Sequence, residues 1–262
     1  MKYFYITCLI FLLFSCEKGS EIINNNNAPY YSEIPTLLLE NYVNRVYIDL
    51  IGREPLDQEM MNDVQFLRDA DVSLECRDSL LIRLQYDTNY VEGDSSYKFA
   101  YFHRIYEMMK VRLIEGASNS YIGSELNTFY NNYVQDSING NMLDAYKRLL
   151  KYNQLNNVLE SELQYYHGEI EINEMCRRMI CNPVYDNINM NTFNFVNAAF
   201  DNLLFRYPTE YEFDQVYTMI DDNTAQIVLG SSGNNKEDFT YIICDSREFY
   251  QGMIIWTYNT LL

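Results

Sequence analysis

The chain has few positive charges and few of the residues that most often carry chemistry. Its 262 residues include two histidines and one tryptophan, and 19 lysines and arginines stand against 37 aspartates and glutamates, for a net charge of −18. Because contacts to phosphate groups need Lys and Arg, this balance argues against binding to nucleic acid or to anionic lipid. It is compatible with a cation or a basic partner.

Sequence motifs of the common enzyme classes are also missing. The chain has no His-Glu-x-x-His, no Gly-x-Ser-x-Gly and no phosphate-binding glycine loop, since residues 230–236 lack the preceding strand and the spacing. A histidine metal site would need both His103 and His167, or one of them with carboxylates or thiols. His103 lies in an aromatic stretch, which favours a packed or surface side chain. We predict no catalytic residue, no metal site and no cofactor.

The N-terminus has the features of a targeting segment. Lys2 precedes an apolar stretch, residues 3–14, that is shorter than the roughly 20 residues needed to span a bilayer but suits the core of a signal peptide. The following Leu13-Phe14-Ser15-Cys16 resembles the bacterial lipoprotein box, in which the cysteine is acylated and becomes the mature N-terminus. Phe14 is bulkier than the residue usually found at this position of the lipoprotein box. The alternative is an ordinary secretory signal with an incidental cysteine.

A polar run with four consecutive asparagines follows, residues 17–27, and is typical of a flexible tether. With its lipoprotein box and its many Tyr, Asn and Ile residues, the chain resembles a Bacteroidetes-type lipoprotein. This resemblance implies a protein held in the outer membrane by a lipid on Cys16, facing either the periplasm or the outside.

The strongest internal signal is a sequence that occurs twice, at an offset of 153 residues. Each copy begins with an amphipathic helix, near residues 41–51 and 194–204, and continues with an arginine, a proline and a glutamate. These matched residues are Arg53 and Arg206, Pro55 and Pro208, and Glu59 and Glu212. A repeat of this kind predicts a duplicated helical module.

The matched charges predict a structural contact. Each arginine lies at the end of a helix, where a cation meets unpaired carbonyl groups, and its glutamate follows six residues later, across the proline turn. We predict a clamp in each copy, Arg53–Pro55–Glu59 and Arg206–Pro208–Glu212, that fixes the angle between two helices. Capture of a ligand by the arginine is the alternative. Thr209 with Glu212 predicts a capping box, and Asp57 is the expected cap in the first copy.

Helical periodicity covers nearly the whole body of the chain. Third helices are expected at residues 74–86 and 238–244, and further helices at 99–109, 121–134, 142–152 and 171–180, whereas residues 227–229 are expected to enter a loop without forming a sheet. We predict an all-α fold, one compact body in which two related three-helix modules, 36–94 and 183–262, flank a helical insert, 95–182. This body follows a signal peptide, 1–15, and a lipidated tether, 16–35. We also expect the two copies to pack together.

Four cysteines remain after the signal peptide and the lipidation site: Cys76, Cys176, Cys181 and Cys244. They allow three disulfide connectivities, and the cell envelope would permit oxidation. Cys176 and Cys181 are five residues apart on an expected helix and so point to different faces. Buried free thiols are the favoured prediction, and disulfides are the alternative.

The first clamp lies in a wider pattern of an aromatic residue, Leu-Leu-Gly-Arg, one residue and Pro, followed by a helix; here Tyr47 leads into Leu-Ile-Gly-Arg and Pro55. This sequence pattern resembles one in the uncharacterised domain of planctomycete cytochrome-associated surface proteins. A similar pattern occurs in an uncharacterised domain of RTX-type and S-layer-associated exoproteins. Both families also have a Ser-x-Glu-Phe motif near the end of a later helix, and residues 246–249 of this chain match it. The second copy departs from the pattern, with Phe205 at the position of Gly52. The planctomycete proteins often carry Cys-x-x-Cys-His haem sites, and this chain has none, so the resemblance does not imply haem binding. It implies no enzymatic activity either.

These observations favour a non-enzymatic cell-envelope lipoprotein that acts as a binding or scaffolding component of an outer-membrane assembly. Its expected partners are the membrane, through the lipid on Cys16, and an envelope protein. A glycan-binding lipoprotein of an outer-membrane uptake system is the first alternative, because 25 tyrosines offer surfaces on which sugars stack. An enzyme of unrecognised type is the second.

Overall fold

The computed structural model describes residues 34–261, and within them the fold is all-α, as predicted. The predicted signal peptide, Cys16 and all but the last two residues of the predicted tether lie outside the described residues. The first six helices are α1 (Thr36–Leu50), α2 (Asp57–Asp69), α3 (Leu74–Tyr86), α4 (Tyr97–Ile114), α5 (Asn119–Ile138) and α6 (Met142–His167). The next six are α7 (Ile172–Ile180), α8 (Pro183–Asn189), α9 (Thr192–Leu204), α10 (Glu210–Asp221), α11 (Lys236–Cys244) and α12 (Arg247–Leu261). None of the helices in this part of the chain is both long and apolar enough to cross a bilayer.

At the start of the second helix in each copy, a glutamate side chain accepts a hydrogen bond from the backbone amide at the cap position. The predicted capping box of α10 is confirmed, because Thr209 Oγ1 accepts from the Glu212 amide while the Glu212 carboxylate accepts from the Thr209 amide at 2.8 Å. The prediction of Asp57 as the cap of α2 is wrong. The cap position is Leu56, whose amide donates to Glu59 Oε2 at 2.7 Å, and Asp57 is the first residue of the helix.

The helices between the copies are longer than predicted. α5 runs to Ile138, and α6 continues to His167, fifteen residues beyond the predicted end at residue 152. No Gly or Pro interrupts this stretch, and Gly168, with a φ of 72°, ends α6 in the left-handed conformation. The short helix α8 was not predicted. It starts with Pro183 at a position where a missing amide hydrogen is harmless, and Asn182 caps it.

A small β-hairpin corrects the expectation of a loop at residues 227–236. Strands β1 (Gln226–Val228) and β2 (Ser231–Gly233) pair antiparallel, with Ile227 opposite Ser232. Leu229 and Gly230 connect them, and both have positive φ, as the commonest two-residue hairpin turn requires. Three-residue strands are too short to show alternation in the sequence. α11 also begins two residues earlier than expected, capped by Asn235.

The buried apolar residues form two separate clusters. The first lies among α1, α2, α3 and the start of α4, and the second extends from the rest of α4 to α12. Helix α4 belongs to both, since Tyr97 and Ala100 lie in the first cluster and Tyr106 and Met109 in the second. The two copies, which we expected to pack together, share no common core: the first copy has its own, the second copy shares one with the helices of the insert, and α4 joins the two clusters in one body.

The prediction of buried free thiols is confirmed. Cys76, Cys176, Cys181 and Cys244 are all buried and unbridged. Cys76 lies in the first cluster, while Cys176 and Cys244 lie in the second. Burial raises the pKa of the Cys176 thiol to about 12, so the thiol stays protonated and unreactive at neutral pH.

Candidate functional site

Both predicted arginine–glutamate pairs are formed, and their geometry is the same. Arg53 donates through both terminal nitrogens to the two carboxylate oxygens of Glu59, at 2.7 and 2.9 Å. Arg206 binds Glu212 in the same way, at 2.8 and 2.7 Å. Such two-bond pairs fix the relative orientation of the groups they join. The prolines of the two clamps, Pro55 and Pro208, lie in the turns between the paired residues.

Each clamp arginine also binds a second carboxylate that the sequence did not assign to it. Arg53 Nε donates to Asp94 at 2.9 Å, and Arg206 binds Glu248 through Nε and, at 2.9 Å, through Nη2. Asp94 lies shortly before α4, and Glu248 lies in the first turn of α12. The clamps therefore hold the start of a fourth helix as well as the two helices on either side of the proline.

The caps of these fourth helices match as well. Ser96 accepts from the Phe99 amide at the start of α4, and Ser246 accepts from the Phe249 amide at the start of α12, both at 3.1 Å. We conclude that each copy contains four helices, α1 to α4 and α9 to α12. The first copy thus extends past the predicted boundary at residue 94, and the Ser-x-Glu-Phe phrase marks the entry into the fourth helix.

The departure of Phe205 from the sequence pattern leaves the backbone unchanged. Gly52 and Phe205 both have left-handed φ, 84° and 58°. The Phe205 ring has a compensating environment: the Arg112 guanidinium lies 4.1 Å above it, and a β-carbon added at Gly252 would come within 2.6 Å of the ring. Close packing on α12 thus offsets the conformational cost of a non-glycine residue at this position.

Hydrogen bonds within the second clamp lower the pKa of the Glu212 carboxyl to about 2, and the bonds from Arg206 are the largest cause. At Glu59 burial opposes the shift, yet the hydrogen bonds from Arg53 and Tyr97 still hold the pKa below its usual range. Both glutamates are therefore ionised throughout the neutral range.

We expect acid to weaken the fold through Glu212. Because its folded-state pKa lies below the ordinary value of 4.5, the stabilisation is complete above pH 4.5 and is lost as the pH falls towards 2. The side chain is partly solvated, so screening limits the contribution to about 1 kcal/mol. Urea unfolding at pH 6 and pH 3 should show that Glu212→Gln loses less stability on acidification than the unsubstituted chain. Equal losses would contradict this assignment.

A buried polar network beneath the first clamp was not apparent from the sequence. Asp63, only 1% exposed, accepts from the Tyr47 hydroxyl at 2.9 Å and from Arg83 Nη2 at 2.6 Å. The Tyr47 hydroxyl lies 3.2 Å from that of Tyr97, which donates to Glu59 at 2.7 Å. A continuous chain of hydrogen bonds thus connects Glu59 of the clamp to Asp63 in the core. The second copy has Phe200 at the position of Tyr47 and makes no matching bond there.

An apolar groove of about 680 Å³ lies where the first copy meets α12; we call it the junction groove. Helices α1 and α3 contribute residues on one side and α12 on the other, together with Tyr101 of α4 and Ile172. Its other apolar and aromatic lining residues are Tyr42, Val46, Leu50, Leu81, Tyr250, Met253, Ile254 and Tyr258. The polar lining consists of Gln85, Thr257 and an ion pair between Arg45 and Asp49, 2.5 Å apart.

Negative charge lies at the α12 side of the junction groove. Glu171 directly precedes the lining residue Ile172, and Asp245 lies five residues before Tyr250; both carboxylates are exposed. Burial and then the charges of Glu171 and Asp245 raise the pKa of Tyr250. Asp49 adds a carboxylate on the α1 side, where Arg45 pairs with it. The groove is therefore apolar along its length and acidic beside Tyr250.

The two histidines lie apart from the junction groove. His103 Nδ1 is 2.6 Å from Glu162 Oε1, and its ring stacks on Phe99, so the pair ties α4 to α6. His167 is the last residue of α6. Within residues 34–261, no three His, Cys, Asp or Glu side chains converge in a way that could hold a metal ion. The absence of catalytic and metal sites stays a prediction.

Comparison with known proteins assigns the chain to no family. No protein-family model, curated protein or solved structure matches it. The resemblances to Bacteroidetes-type lipoproteins and to planctomycete and S-layer-associated domains therefore stay predictions from the sequence. Lipidation of Cys16 is also a prediction, because this residue lies outside the described residues.

Proposed function

We propose that this chain is a non-enzymatic, lipid-anchored component of an outer-membrane assembly, and that its junction groove binds a helix of a protein partner. The observation that carries the proposal is the groove itself, which is open, bounded by helices and lined mainly by apolar side chains. Grooves of this kind accept the apolar face of an amphipathic helix.

The exposure of α12 supports a macromolecular partner. Ile254, Ile255 and Tyr258 are 69%, 59% and 64% exposed, although the same helix buries Phe249 and Met253 in the second core. An exposed apolar surface that continues a groove is typical of interaction sites in soluble domains. A bound helix would cover Ile254 and Tyr258, which both line the groove.

The charges favour a partner helix with basic flanks. The chain carries a net charge of −18, and Asp49, Glu171 and Asp245 lie in or near the groove. Complementary charges speed association and set the orientation of the partner. The proposed ligand is thus an amphipathic helix with an apolar face and Lys or Arg at the end that meets α12.

The predicted anchor fits this role. The predicted tether, residues 16–35, would join a lipid on Cys16 to the start of α1. α1, which directly follows this tether, lines the groove. A lipid on Cys16 would therefore hold the groove close to the membrane surface, where a membrane-bound partner can present a helix.

A glycan is the second candidate ligand, and one observation favours it. Tyr42, Tyr101, Tyr250 and Tyr258 all line the groove, and aromatic rings stack on sugar faces. Against a glycan, only four of the lining residues are polar, and two of these already pair with each other. Apart from the four tyrosine hydroxyls, the groove therefore offers a sugar few hydrogen-bond partners.

Site-specific photocrosslinking in native membranes tests the proposal. A photoreactive residue in place of Ile254 should give a discrete crosslinked protein. The same residue in place of Ile227, which is 61% exposed on β1 outside the groove, should not. Tyr258→Asp should weaken the Ile254 crosslink, because it places a charge in the apolar lining without disturbing a buried contact.

Two outcomes would overturn the proposed ligand. Equal crosslinking from positions 254 and 227 would show that the groove is not selective. No crosslink at position 254, together with a glycan-array signal that Tyr258→Ala abolishes, would instead assign the groove to a sugar.

A further inference from the structure

The hairpin of α5 and α6 ends in large apolar side chains that face solvent. Ile138, Met142, Leu143 and Tyr146 are 73%, 66%, 69% and 59% exposed, and we call these four residues the hairpin tip. They lie within nine consecutive residues around the turn at Gly140. So many exposed apolar side chains on one convex end require an explanation beyond the chain's own core.

The hairpin tip lies beyond the residues that anchor the hairpin in the core. Ile122 is the only buried residue of α5, and it lies near the start of that helix. From Ile122 to Ile138 the helix extends about 24 Å at 1.5 Å per residue. α6 enters the second core through Leu155 and Val158, and nearer the turn its basic face shares a pocket with Asp186 of α8. The distal half of the hairpin therefore consists of two helices packed mainly on each other.

The charge of the distal hairpin differs from that of the whole chain. Residues 130–152 contain only two of the 37 acidic residues, Asp136 and Asp144, and three basic residues, Lys147, Arg148 and Lys151. The carboxylates lie 3.7 Å from Arg148 and Lys147, respectively, which leaves this segment with a small positive charge. The argument from net charge against an anionic lipid surface therefore does not apply to this part of the molecule.

Tyrosines surround the hairpin behind the tip. Tyr130 packs against Tyr133 and Tyr152, with ring centroids 6.1 and 5.5 Å away, and Tyr130 is 47% exposed. Tyrosine is enriched at membrane interfaces, because its ring is apolar and its hydroxyl is hydrated. From the turn inward, the hairpin thus presents apolar side chains first, and basic and tyrosine side chains behind them.

We propose that the hairpin tip inserts into the head-group region of a phospholipid bilayer, as a second membrane contact besides the predicted lipid on Cys16. An apolar end flanked by Lys, Arg and Tyr matches the layers of a bilayer interface. A protein partner is the alternative that the experiment below distinguishes from a bilayer. This inference rests on the envelope location proposed above, but not on the ligand of the junction groove.

Fluorescence quenching tests the inference on the purified mature chain. Leu143→Cys would carry a polarity-sensitive thiol label, and Tyr211→Cys, at a 67% exposed site on α10, would be the control. The chain without either substitution gives the background, which the four buried thiols should keep low. In vesicles of phosphatidylethanolamine and phosphatidylglycerol with brominated acyl chains, the label at 143 should shift to the blue and lose emission, and the label at 211 should not.

A second variant separates insertion from mere proximity. Met142→Asp added to the labelled chain should abolish the quenching at position 143 while the thermal midpoint stays unchanged, because Met142 is 66% exposed. Equal quenching at positions 143 and 211, or none at either, would overturn the inference. Shielding of position 143 in native membranes but not in pure lipid vesicles would assign the tip to a protein partner. Absence of quenching at position 143 in the chain without Met142→Asp, together with an intact Ile254 crosslink, would overturn this inference alone and leave the proposed function standing.

Discussion

Asp63→Ala is expected to lower the free energy of unfolding by about 3 kcal/mol, because it takes their shared acceptor from a partly buried guanidinium and a buried hydroxyl. The carboxylate accepts from Arg83 and from Tyr47, which is fully buried. The Arg83 side chain is 35% exposed, so water compensates part of the loss, and the estimate stands at the low end for a broken buried pair. Urea unfolding followed by circular dichroism measures the difference.

Asp69→Ala is the matched control, since Asp69 lies on the same helix and its partner is the exposed Gln65. Its effect should stay within about 0.5 kcal/mol. Replacing both buried charges, as in Asp63→Leu with Arg83→Met, should cost less than Asp63→Ala alone, because no unpaired charge remains. Equal losses for Asp63→Ala and Asp69→Ala would mean that the network contributes nothing to stability.

Arg206→Ala is expected to cost about 2 kcal/mol, because two carboxylates would then face each other without the cation between them. Glu212 belongs to the start of α10 and Glu248 to the start of α12, so the loss should loosen the joint between these helices. The exposed neighbour Arg247 offers a control substitution to alanine on the same surface. Differential scanning calorimetry should show a lower midpoint for Arg206→Ala only.

The same variant distinguishes a structural clamp from a ligand-binding arginine. If the clamp is structural, crosslinking from Ile254 should weaken only at temperatures where the protein begins to unfold. An unchanged midpoint together with a lost crosslink at low temperature would make Arg206 a binding residue. The clamp interpretation would then be wrong.

Local patterns in the sequence predicted the parts of the fold that depend on local physics. The apolar stripes of α1 and α9 determine which helix faces are buried. The repeated arginine and glutamate, six residues apart in each copy, located both clamps. Thr209 and Glu212 predicted their own hydrogen bonds, because a capping box lies within a single turn. The amphipathic pattern needed no knowledge of distant contacts.

Contacts between distant segments could not be predicted in the same way. Asp94 meets Arg53 across 41 residues, and the α12 side of the junction groove lies some 200 residues from the α1 side. Asp63 looks like any exposed helical aspartate until the fold places Tyr47 and Arg83 beside it. The length of α6 was also missed, because no helix-breaking residue marks an end near residue 152 and the helix continues to its cap residue, Gly168.

The two separate cores imply an order of folding. Every residue of the first cluster lies between Leu39 and Ala100, whereas the second needs residues from Tyr106 to Met253. A chain that emerges N-terminus first can therefore complete its first core before the rest of the molecule exists. Helix α4 would then extend from a folded unit as a template on which the later helices assemble.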